Sequence, residues 1–163
     1  MKTPPNYEDM IPRLATFLDG KPAGIEMFLS NIGRYDHLAA HASLIWPAFI
    51  EHEKCVFRGT AIPSSYSQWK EKFGDNTQTI EGMLNHLHIH DLFFDGTEPE
   101  PNHALVAYIG NLLRETWATK LALDFPDRVF DVHFPERFDN AIDNPSITAS
   151  PSGVSFDSLI AFA

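Results

Sequence analysis

HALVAYIGNLLRETWATKLALD, residues 103–124, is the longest periodic stretch of the chain. Leu105, Tyr108, Ile109, Leu112, Leu113, Trp117, Leu121 and Leu123 recur through it at helical spacing and give it a wide apolar face. Such a face has to be covered, so this segment is expected to be the central helix on which the others pack.

Five helical patterns precede it. Residues 7–19 place Ile11, Leu14, Phe17 and Leu18 on one face, with Pro12 in the first turn and Gly20 as a stop. Residues 22–32 carry Ile25, Phe28 and Leu29, and Gly33 ends them. Residues 34–46 (RYDHLAAHASLIW) set Leu38, Ala42 and Ile45 on one face and stop before Pro47. A short helix over 64–74 has Ser64 or Ser65 to cap it and Gly74 past its end. Residues 76–92 start at Asn76 or Thr77, with Ile80, Met83, Leu84 and Leu87 at i, i+3, i+4 and i+7.

Strand patterns flank these helices. AFIEHEKCVFRG, residues 48–59, reads as one strand or as a hairpin turning near Glu53 and Lys54. In FPDRVFDVHF, Val129, Asp131 and His133 alternate against Phe130, Val132 and Phe134. SITAS and GVSF add weaker strand patterns, and the final SFDSLIAFA fits a strand, a helix or an interface segment. The expected fold is α+β in one domain over residues 1–163. Its N-terminal two-thirds are mainly helical, with five or six helices, and they pack with a small antiparallel C-terminal sheet that the strand near 50–58 could join.

Composition narrows the functional classes. Hydrophobic residues make up 44% and charged residues 21%, which is globular, and 13 Phe and 3 Trp point to an aromatic core. With 12 Lys plus Arg against 22 Asp plus Glu, the formal charge is −10. A surface of that sign repels phosphate backbones and acidic lipid, and no local basic patch offsets it. Nucleic acid and membrane are therefore not expected as partners. The one cysteine, Cys55, excludes an intramolecular disulfide framework and any multi-cysteine zinc site. Between Lys54 and Val56 it reads as a small buried hydrophobe. The N-terminal MKTPPNYEDMIPRL lacks the apolar core of a signal peptide, and no apolar run approaches the roughly 20 residues that span a bilayer. A cytoplasmic location is expected. Acyl-transfer elbows, dinucleotide fingerprints and phosphate cradles are absent from the sequence.

Two readings from different classes remain. NHLHIHD, residues 85–91, holds three of the eight histidines. Carried on a continuous helix, His86 and His90 form an outward i, i+4 pair, while His88 falls at the edge of the core. His37 and His41 in YDHLAAH repeat the spacing. Two such pairs facing each other could hold a divalent metal such as zinc, because bundle metal sites take their ligands from facing helices. Glu51 or Asp91 would then be the proton acceptor of a metal-dependent hydrolase. The bland account is that His86 and His90 are solvated, His88 bonds a backbone carbonyl, and His37 and His41 are boundary residues of an amphipathic helix. The other reading, which the exclusions favour, is a non-catalytic module that binds another protein or itself. Its marker is LFF at 92–94, where Phe93 and Phe94 enter an acidic loop and could form an exposed apolar patch.

Overall fold

The computed structural model describes residues 7–11, 13–16, 24–92, 103–134 and 159–162. The class is α+β with a helical majority. Of the helix expected over 7–19, the described residues form two single turns, α1 (Tyr7–Met10) and α2 (Arg13–Thr16), and residues 17–19 lie outside the described residues. The break follows from composition, since a proline at position 12 has no amide hydrogen for the helical ladder. Helices α3 (Ile25–Ile32) and α4 (Tyr35–Ile45) come next. Gly33 separates them. Its amide bonds the Leu29 carbonyl at 2.7 Å, and a Cβ there would overlap that oxygen.

Of the two readings of residues 48–59, one strand or a hairpin, the hairpin is found: β1 (Phe49–His52) and β2 (Cys55–Arg58), turning at Glu53 and Lys54. Both turn residues have positive φ, 48° and 69°, as a primed two-residue turn requires. The register pairs Glu51 with Val56 and Ile50 with Phe57. Strand β2 is buried on both faces, and the period of two sorts its side chains. Val56 points into the larger core, with Ile89, Val106, Leu113, Trp117, Leu121, Val132 and Phe134. Cys55 and Phe57 point into a smaller one with Tyr66 and Ile80, supplied by α5 (Tyr66–Phe73) and α6 (Thr77–Leu84).

Because Glu51 and Val56 form a non-bonded pair of the ladder, the peptide groups of Val56 and Arg58 face away from β1. Among the described residues, no third strand meets them. Two side chains of the α6 segment do. The Val56 amide donates to Glu81 Oε1 at 2.5 Å, Asn85 Nδ2 donates to the Val56 carbonyl at 2.8 Å, and the Arg58 amide donates to Asn85 Oδ1 at 2.8 Å. Arg128 Nη2 reaches the same Glu81 oxygen at 3.0 Å. Glu81 and Asn85 are respectively 2% and 1% exposed, so no water replaces these partners.

This clamp corrects the expectation of one helix over 76–92. Asn85 can serve β2 only where it sits, as the C-cap residue of α6, with its amide on the Glu81 carbonyl at 2.9 Å. The chain then runs into strand β3 (Leu87–His88) and the single turn α7 (Ile89–Leu92). Strand β3 pairs with β5 (Leu159–Phe162), which pairs on its other side with β4 (Val132–His133). All pairings are antiparallel, in the order β3-β5-β4. The C-terminal sheet is thus present and antiparallel, but the hairpin near 50–58 does not join it. SITAS and GVSF lie outside the described residues.

Helix α8 (His103–Asp124) has the bounds expected for the central helix. Leu113, Trp117 and Leu121 are fully buried along it, whereas Leu123 is exposed. The ladder of β4 covers only two residues of FPDRVFDVHF, yet the alternation holds: Val132 and Phe134 are buried, and Val129, Asp131 and His133 are exposed. Phe134 lies on Gly110 of α8 so closely that any Cβ at 110 would collide with its ring.

Two predictions follow from this packing. Gly110→Ala raises helix propensity by about 1 kcal/mol but displaces Phe134. We expect net destabilisation of about 1–3 kcal/mol by urea unfolding, as for other overpacked cores; a more stable variant would contradict the contact. At the clamp, Asn85→Ala orphans two peptide groups, at about 1–3 kcal/mol each. Burial pushes the Glu81 carboxyl up, against the opposing pull of the Val56 amide and Arg128. The folded protein therefore holds that proton more tightly than the unfolded chain does. This group's contribution to stability is full below the ordinary carboxylate range and declines as pH rises through its elevated value. Relative to Glu81→Gln, the wild type should lose stability over that window. A pH-independent difference would sink the assignment.

Candidate functional site

Two reactive side chains that the structure buries, Cys55 and Tyr66, are occupied in structural work. Cys55 is fully buried, and burial pushes its thiol up, so the nucleophilic thiolate is disfavoured. The buried Tyr66 hydroxyl donates to Glu53 Oε2 at 2.9 Å. Burial, and then that bond, push the phenol up to about 12, so it stays protonated at neutral pH. Glu51 belongs to β1 rather than to the turn. Its carboxylate is half exposed and lies 3.6 Å from Arg128 Nη1, with water free to screen the pair.

The histidines are arranged differently from the helical reading. His86 lies beyond the end of α6 and His90 in α7, so the i, i+4 relation on one helix is lost. His86 Nδ1 contacts the Met83 carbonyl, which can only accept, so this nitrogen carries the proton. The backbone-bonded role expected of His88 falls to His86. The His86 and His88 rings meet edge to face, with centroids 5.6 Å apart, as the period of two in HLHIH allows. His37 and His41 are both exposed on α4. Among the described residues, no group of three or more His, Cys, Asp or Glu side chains is placed to hold a metal ion. The side chains of His90 and Asp91, and Phe93 and Phe94 altogether, lie outside the described residues. Among those residues no helix is long and apolar enough to cross a membrane.

The unusual surface is elsewhere. Helix α4 was expected to bury Leu38, Ala42 and Ile45, but only its last turn is held. Leu44 and Ile45 pack on the larger core, and the buried Trp117 indole donates from Nε1 to the Leu44 carbonyl at 2.9 Å. That bond satisfies one of the carbonyls that a helix C-terminus leaves open. From Tyr35 through Ser43, nine consecutive residues are all exposed, with Leu38 at 67% and Tyr35 at 95%. Nine residues are two and a half helical turns, so every side of that part of α4 faces outward.

Helix α3 continues the pattern. Phe28 is buried, but Met27, Leu29 and Ile32 are exposed. Polar side chains here close on their own helices: Ser30 Oγ and Asn31 Nδ2 each bond the Met27 carbonyl at 2.8 Å, and Ser43 Oγ bonds the Ala40 carbonyl at 2.7 Å. Arg34 grips Asp36 with Nε and Nη2, at 3.1 and 2.7 Å, and this pairing holds the Asp36 carboxyl below its usual range. An acid in the first turn also suits the positive end of α4. Sequence reasoning found the amphipathic pattern here but assigned the apolar side to the core. The pattern is the same whether a face is covered from within or from outside.

With this geometry described, comparison of the chain with protein-family models, with curated proteins and with solved structures finds no match.

Proposed function

We propose that this chain is a non-catalytic interaction module that engages another protein chain through the arm formed by α3 and α4. One observation carries the reading: Tyr35–Ser43 is helical yet exposed on every side. Helices shorter than about 12–15 residues are marginal in water by themselves, and most helix stability in proteins comes from packing one face. Helix α4 has 11 residues, of which Leu44 and Ile45 pack on the core. Cover from a partner would add to what the described core gives this helix, which is contact at Leu44 and Ile45.

The apolar groups on the arm are of the kind that interfaces use, with Tyr, Met and Leu in front and Trp46 exposed at the base beneath Lys120. The chain's charge of −10 favours a protein partner over nucleic acid. Phe93 and Phe94, to which the sequence assigns a partner-binding role, lie outside the described residues. Glu81, Tyr66 and Cys55 are committed to the clamp and the smaller core; of the catalytic candidates in the sequence, Glu51 is half exposed on β1 and the Asp91 side chain lies outside the described residues.

A photo-crosslinking residue placed at 35, and separately at 38, tests the reading in cells that produce the protein. We expect intermolecular adducts from both positions and none from position 67, an exposed serine on α5. Absence of adducts at 35 and 38 would remove the interaction reading.

A further inference from the structure

We propose that His86 and His88 form a two-imidazole site for a late first-row divalent cation, copper(II) or zinc(II), where the chain leaves α6 and enters β3. The site stands apart from the arm and does not rest on the interaction reading.

Backbone geometry brings the two rings together. On a continuous helix they would lie about 200° apart around the axis. Because α6 ends at Leu84 and the chain is extended at Leu87–His88, the rings two residues apart share a face instead. Both positions are fixed from outside the pair. His86 follows the buried Asn85 of the clamp, and His88 is paired with Leu159 of β5. Ligands on a held backbone lose little freedom when an ion arrives.

The separation suits one ion. A cation about 2.0–2.1 Å from a ring nitrogen lies about 3.2 Å from the ring centre, so two imidazoles on one ion have centres at most about 6.4 Å apart. The centres of His86 and His88 are 5.6 Å apart. That spacing gives an angle of about 120° at the ion, open of tetrahedral and far from linear. Turning His88 about its Cβ–Cγ bond, a broad torsion, aims a nitrogen at the ion and leaves the ring centre in place.

Protonation suits it too. His86 donates from Nδ1 to the Met83 carbonyl, so in the neutral ring Nε2 carries the lone pair. Metal-ligating histidines donate their other N–H in this way, which fixes tautomer and ring orientation. Among the described residues, no hydrogen bond or ion pair engages His86 Nε2 or the His88 ring nitrogens. Both side chains are half-buried, so solvent ions reach them. Imidazole selects copper, nickel and zinc over the oxygen-seeking calcium and magnesium, with copper(II) held tightest. No third described His, Cys, Asp or Glu joins the pair. Water therefore completes the coordination, and the ion is exchangeable.

Titration of the full, untagged chain with copper(II) or zinc(II) chloride, followed by calorimetry in a non-coordinating buffer, tests the site. His86→Gln and His88→Gln should each weaken binding about 10- to 100-fold, the loss that follows even from disturbing an outer-shell partner. His37→Gln/His41→Gln, on α4, should leave this binding unchanged. An unchanged near-ultraviolet signal from buried Trp117 reports that the variants remain folded. In the wild type, zinc(II) should shift the imidazole nitrogen resonances of His86 and His88 together, with His86 ligating through Nε2 and Nδ1 still protonated. A wild type that takes up neither ion, resonances of either histidine that zinc(II) does not move, or a folded single variant that binds like the wild type overturns the proposal.

Discussion

Glu81 and Asn85, one helical turn apart, hold the outward peptide groups of Val56 and Arg58 through three hydrogen bonds. The remaining architecture depends on this arrangement. Strand β2 runs between two hydrophobic clusters, where an unpaired edge would orphan backbone donors and acceptors at a cost of about 1–3 kcal/mol each. A third strand would satisfy them, but a carboxylate and an amide do so here. The carboxylate accepts an amide hydrogen, while Asn85 offers one donor and one acceptor, as a peptide unit does. Arg128 brings the opposite charge that a buried Glu81 needs.

The clamp has consequences in both directions along the chain. It ends α6 at Leu84, which releases residues 87–88 to become a strand and splits the histidine triplet between a turn, a strand and a short helix. It also locks β2 in place, so Val56 can pack with Trp117, and Trp117 in turn holds the last turn of α4 through the Leu44 carbonyl. The arm is therefore anchored at its base by that core, while its outer two and a half turns are exposed. An anchored base with exposed Tyr35 and Leu38 beyond it is what the proposed docking role rests on. Nothing comparable occurs for α8, whose buried stripe of Leu113, Trp117 and Leu121 is satisfied within the chain.

Local information made part of this legible in the sequence. Helix α8 could be read to its end residues because its apolar period runs unbroken for six turns. The hairpin turn at Glu53 and Lys54 was legible from the strand pattern on either side of it, despite the absence of glycine. The alternation around Val132 survived even where the ladder is short. What escaped reading was tertiary. Glu81 and Asn85 sit on the flank of the Ile80–Leu84 stripe, where polar residues are ordinary, and only the edge of β2 gives them a role. Extending the period of 80–87 through Asn85 produced a helix that the clamp forbids. Leu38 and Ala42 carried a genuine amphipathic signal, but periodicity does not say which molecule covers the face. The apolar patch expected at Phe93 and Phe94 falls outside the described residues, and the one that was found lies about 60 residues earlier.

The central claim is that α4 is secured by the core only at its base and completed by association. Hydrogen exchange measured by mass spectrometry across a range of protein concentrations addresses it directly. The account predicts that amides of residues 38–43 are weakly protected in the chain alone at the lowest concentration, while those of Val56 and Arg58, held by the clamp, are slow throughout. Protection of 38–43 that is strong and independent of concentration would show that α4 is stable without a partner, and would contradict the account.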